Sequence, residues 1–81
     1  MFKLTEILKN GEKVEKAELG DFPSRDNAYM YVKNLLLQNG VRVTTMVKWK
    51  PLQKHWIVDI GDAMHYFVIE PLSGDIDINI Q

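Results

Sequence analysis

From Val41 onward, apolar and polar residues alternate along the chain. Odd positions carry one face of a first strand: Val41, Val43, Thr45, Val47 and Trp49. Even positions carry the matching face of a second: Trp56, Val58 and Ile60. A period of two is the mark of a strand buried on one side. Placing the loop Pro51-Leu52-Gln53-Lys54 between them sets Lys50 against His55, Trp49 against Trp56 and Val47 against Val58. A slip of one residue would reverse every side chain, so the pattern fixes the register. Gly61-Asp62 predicts a tight hairpin that pairs Ile60 with Ala63, Val58 with His65 and Trp56 with Phe67. A third turn, Pro71-Leu72-Ser73-Gly74, predicts a last strand that sets Ile69 against Ile76 and Phe67 against Ile78. The reading is a C-terminal four-stranded meander with one apolar face, which needs a cover.

The cover comes earlier in the chain. Ser24 is a fitting N-cap, Asp26 falls in the first turn, and Gly40 stands where a helix stops. Between them Ala28, Tyr31, Val32, Leu35 and Leu36 share one helical side, with Met30 and Leu37 on the other. Both tryptophans are expected beneath Val32 and Leu35. Residues 2–19 admit two readings. Asn10-Gly11 between mixed runs signals a hairpin, pairing Phe2 with Leu19, Leu4 with Ala17 and Ile7 with Val14. The spacing of Leu4, Ile7 and Leu8 also suits a short helix capped by Thr5, but of barely one and a half turns. The hairpin is the better reading, with Glu12 to Leu19 a charged edge strand and Gly20-Asp21-Phe22-Pro23 a connector. The predicted fold is α+β, a two-layer sandwich in the order ββαββββ, with one helix packed on an antiparallel β-sheet and residues 1–81 forming a single domain.

Composition narrows the function classes without selecting one. Apolar residues make up 46% and charged residues 26%, with a formal net charge of −1. Such a balance exerts no global pull toward nucleic acid or an anionic membrane. With no cysteine there is neither a disulfide framework nor a thiolate metal site. No apolar run approaches a membrane span, and Glu6 comes too early for a secretory leader, so a cytoplasmic location is expected.

The register also predicts a second sheet face. Its apolar middle holds Ile57, Met64, Tyr66 and Val68, with Met46 beside them. Arg42, Lys48, Lys50 and His55 form a basic flank, and Glu70, Asp75 and Asp77 an acidic one. Solvated sheet faces are usually more polar, and a contiguous apolar patch marks an interface. Met46, Ile57, Met64, Tyr66 and Val68 are therefore the expected partner-binding residues, and opposite flanks of opposite charge suit a two-fold homodimer.

Other chemistries find less support. Arg42, Lys48, Lys50, Lys54 and His55 could meet phosphates, which makes nucleic-acid binding along this basic edge the alternative function. Base stacking needs exposed aromatic rings, however, and both tryptophans are assigned to the core. His55 and Asp59 lie four residues apart on a strand, about 13 Å, too far to share an ion. His65 is assigned to the core edge, bonded to backbone. No metal site, cofactor or catalytic group is expected. The serines, Ser24 and Ser73, fall at a cap and a turn, and the glycines stand singly. The sequence thus predicts a small non-enzymatic interaction module, of adaptor, inhibitor or viral accessory type. It would bind a protein partner or itself through the exposed sheet face.

Overall fold

Ser24 opens the helix: its hydroxyl accepts the Asn27 N–H at 3.1 Å, while Asp26 places negative charge at the positive end of the dipole. Helix α1 (Arg25–Gln38) ends at Gly40, whose φ of 74° is a left-handed conformation that suits glycine. The Gly40 N–H then donates to the Leu37 carbonyl at 3.0 Å and the Val41 N–H to Leu36 at 2.8 Å, closing a Schellman cap. Val41 therefore ends the helix and does not begin a strand.

The computed structural model describes residues 1–41 and 45–72. Around α1 the chain forms β1 (Phe2–Asn10), β2 (Lys13–Phe22), β3 (Met46–Lys50), β4 (His55–Asp59) and β5 (His65–Pro71). The five strands make one antiparallel sheet in the order β2-β1-β5-β4-β3, with α1 packed on one side. The α+β two-layer fold expected from the sequence is what the chain adopts, and residues 2–22 form a hairpin. Arg42, Val43 and the strand expected over 75–80 lie outside the described residues.

Pairing of β3 with β4 follows the predicted register residue for residue, from Val47 opposite Val58 to Lys50 opposite His55. Elsewhere the neighbours change. Between β4 and β5 the register is two residues off the expected one: Val58 faces Phe67 and Trp56 faces Ile69. Two carboxylates lengthen that turn. Asp59 accepts the Gly61 N–H and Asp62 accepts the Met64 N–H, each at 2.8 Å, so Ala63 and Met64 stand exposed in the turn. An even shift preserves the faces, which is why Val58 and Phe67 still point to the helix.

The N-terminal hairpin turns at Gly11-Glu12, and β2 runs through the expected connector to Phe22. Its register shifts between Leu4 and Thr5: Leu4 faces Gly20 but Thr5 faces Glu18, leaving Leu19 as the extra residue of a bulge. Strand β1 also pairs with β5, Leu4 opposite Ile69 and Ile7 opposite Tyr66. The place along β5 that the meander reading gives to 75–80 is held by β1.

The core lies between helix and sheet: Leu4, Ala28, Val32, Leu36, Val58, Ile60, Phe67 and Ile69 are all buried. Because α1 packs on β1, β2 and β5, it leaves the β3–β4 hairpin at the margin. The tryptophans fall there. Trp49 is 44% exposed, and half-buried Trp56 lies against Phe2, with the Arg25 guanidinium 5.5 Å from its ring centre. The two indoles do pack together, 4.6 Å between ring centres, but at the N-terminal end of the helix rather than beneath Leu35. Tyr31, expected inward, is exposed against Phe22, while half-buried Tyr29 packs on the core and bonds Thr45 through its hydroxyl.

The β3–β4 loop carries one backbone test. Lys54 has φ 57°, a left-handed conformation that costs a residue with a Cβ about 1–2 kcal/mol. Glycine removes that cost but gains about 0.4–1 kcal/mol of unfolded-state entropy. Lys54→Gly is thus expected to raise stability by up to about 1 kcal/mol, read as a higher urea midpoint at unchanged slope. A lower midpoint would mean that the lysine side chain, not its backbone, matters to the loop.

Candidate functional site: the open face of the sheet

Side chains that point away from α1 form a second surface, on which no helix or strand among the described residues packs. The ladder registers arrange it in rows. One row crosses all five strands as Glu18, Thr5, Val68, Ile57 and Lys48. The next reads Lys16, Ile7, Tyr66, Asp59 and Met46. Toward the β5 C-terminus Asp21, Lys3 and Glu70 come into line, with His55 and Lys50 continuing across β4 and β3. The centre is therefore Thr5, Ile7, Ile57, Tyr66 and Val68, and charge surrounds it.

This centre is a trough of about 400 Å³, walled by Lys3, Lys16, Glu18, His55 and Glu70. Thr5 and Ile7 at its floor are 9% and 6% exposed, while Ile57, Tyr66 and Val68 are half-buried. A second hollow of about 300 Å³ lies beyond Tyr66, between Lys9, Lys48, Lys50 and Asp59.

Several rim charges already have partners. Lys3 meets Glu70 at 3.8 Å, and Lys48 donates to Asp59 at 3.1 Å. The Lys9 ammonium stands 5.3 Å from the Tyr66 ring centre. The Gly61 N–H and then the Lys48 ammonium hold the Asp59 carboxyl below the usual carboxylate range. His65 faces the helix side as expected. Its partner is a carboxylate rather than backbone, Nε2 lying 2.7 Å from Glu6 Oε2.

Of the residues singled out from the sequence, Ile57, Tyr66 and Val68 come together at the centre, and Met46 sits at the β3 margin. Met64 lies in the turn, 55% exposed, with its carbonyl accepting the Lys9 N–H at 2.8 Å. Thr5 and Ile7 were not among them, because no local pattern announces that β1 lies beside β5. Lys48, Lys50 and His55 do share the open face, Lys54 belongs to the β3–β4 loop, and Arg42 is outside the described residues. The acidic flank changes most. Glu70 is on the central strand and tied to Lys3, while Asp75 and Asp77 are outside the described residues. The flank opposite β3 is β2, carrying Lys16, Glu18 and Asp21.

Among the described residues no group of three or more metal-ligating side chains gathers, and no helix is long and apolar enough to cross a membrane. Fold and site together define a class, a helix-backed antiparallel sheet with an open, apolar-centred face. No family model matches the chain, and neither a curated protein nor a solved structure matches it.

Proposed function

We propose that the chain is a non-enzymatic protein-interaction module whose working surface is the open sheet face. One observation carries the reading: an apolar and aromatic centre of Ile7, Ile57, Tyr66 and Val68 is enclosed by a ring of charged side chains. Interfaces concentrate their binding energy in such centres, while polar rims exclude water and select partners. Nucleic-acid binding fits less well. Tyr66 is the aromatic ring of this face; the tryptophans lie with the helix side, away from the lysines. RNA-binding sheets stack two or three bases on aromatic rings of one face.

The test is the pair Ile57→Lys and Tyr66→Glu in one chain. Neither residue belongs to the core, so the variant is expected to keep its far-UV spectrum and cooperative unfolding. Wild type and variant are each immobilised and offered an extract of the cell that makes the protein. The variant is expected to lose at least about tenfold of whatever the wild type retains, since central positions cost about 2 kcal/mol or more when disrupted. Equal retention by a folded variant would remove the open face from the function. Retention of nucleic acid that falls steeply with added salt would instead favour phosphate contacts.

A further inference from the structure

We infer that the occupant of the open face is a second copy of this chain, packed sheet to sheet about a two-fold axis that runs along β5. The inference rests on the open-face reading above and adds the partner and its orientation. Strand β5 is the middle of the sheet, with β1 and β2 on one side and β4 and β3 on the other. A two-fold along it lays β3 of one copy over β2 of the other and keeps each residue in its own row.

That superposition matches charge at both margins. Lys48 of one copy meets Glu18 of the other within the Val68 row, and Lys50 meets Asp21 one row further on. By symmetry each contact occurs twice. Along the axis Val68 meets Val68 and Tyr66 meets Tyr66, so the apolar centres coincide. An axis across the strands through the Val68 row would set Glu18 against Glu18 and Lys48 against Lys48.

The orientation has a local cost. Glu70 meets its own copy, with Lys3 already beside it at 3.8 Å, and Ile7, sunk at the trough floor, lies opposite Asp59, whose carboxylate is held by Lys48 and Gly61. Aligned sheets cross at about 30°, which moves strands two positions from the axis by about 5 Å, within the reach of a lysine. Lys50 and Asp21 are exposed and make no ion pair among the described residues. Covering this face on two copies removes on the order of 1,000 Å², the lower limit of specific interfaces. A dimer held near micromolar affinity is the expected outcome.

Sedimentation equilibrium of the full chain from about 0.1 µM to 100 µM tests this. The wild type is expected to move from one chain mass toward two across that range. Lys50→Glu makes both margins acidic and Asp21→Lys makes both basic, so each variant alone is expected to dimerise at least about tenfold more weakly. An equimolar mixture of the two restores both contacts and is expected to associate like the wild type. Unfolding curves of each variant confirm that the fold is intact. A wild type that stays monomeric overturns the self-pairing. The open face is then judged separately, by what the Ile57→Lys, Tyr66→Glu chain retains. A wild-type dimer that both charge variants leave untouched, or a mixture no tighter than its components, overturns the axis along β5.

Discussion

Phe67→Ala is expected to remove at least about a quarter of the chain's stability at room temperature. Phe67 is fully buried on the central strand, between Glu6 of β1 and Val58 of β4, and belongs to the core beneath α1. Deleting a buried phenyl ring costs about 3–5 kcal/mol, the lost transfer energy plus the cavity left behind. A chain of 81 residues has about 4–12 kcal/mol in total at the usual stability per residue. The central position matters because helix and neighbouring strands close on this ring, so no single element can shift to refill the space. Urea titration followed by far-UV circular dichroism reads the effect. A transition within about 1 kcal/mol of the wild type would show that the core lies elsewhere.

Trp56→Ala is the control for that experiment. Tryptophan is the larger side chain, and alternation alone ranks Trp56 with Phe67. Yet Trp56 is half-buried, between Phe2, Trp49 and Arg25 at the edge of the helix's cover. Its truncation exposes a margin that water can reach, and the expected cost is about 1–3 kcal/mol. The ordering, Phe67 above Trp56, separates the observed helix placement from one centred over the tryptophans.

These differences mark what a single chain of letters reveals. A period of two reports which face a residue occupies, so Val58, Phe67, Ile57 and Tyr66 are all assigned to their correct sides. It is blind to an even slip, and the β4–β5 slip of two comes from side-chain hydrogen bonds of Asp59 and Asp62 that no apolar pattern encodes. Helix caps are local, and Ser24 and Gly40 fulfil them. Pairing of β1 with β5 joins Leu4 to Ile69 across most of the chain, and nothing near either residue signals it. That one non-local contact brings Thr5 and Ile7 into the open face and moves the flank opposite β3 to β2. The centre of the candidate site was thus half legible, and its far edge was not.

Gly20→Ala is expected to destabilise the fold by about 1–2 kcal/mol, although there is room for the methyl group. Gly20 has φ 132°, outside the regions that L-residues adopt, while the nearest atom to an added Cβ, Phe22 Cε1, is 4.0 Å away. The cost is therefore backbone strain, of order 1–3 kcal/mol, partly offset by the smaller entropy of an unfolded chain without glycine there. That conformation makes the bulge at Leu19. Without the extra residue, alternation along β2 would turn Phe22 outward and Asp21 toward the helix. With it, Phe22 packs against Tyr31 and Asp21 joins Glu18 on the open face, where the proposed pairing needs it. Chemical synthesis with D-alanine at position 20 separates the causes, because φ 132° is the mirror of an ordinary strand value and the D-residue adopts it freely. The D-alanine chain is expected to show a higher urea midpoint than the L-alanine chain, which falls below the wild type. Equal losses in the two would mean that the backbone angle at position 20 is not what the glycine is needed for.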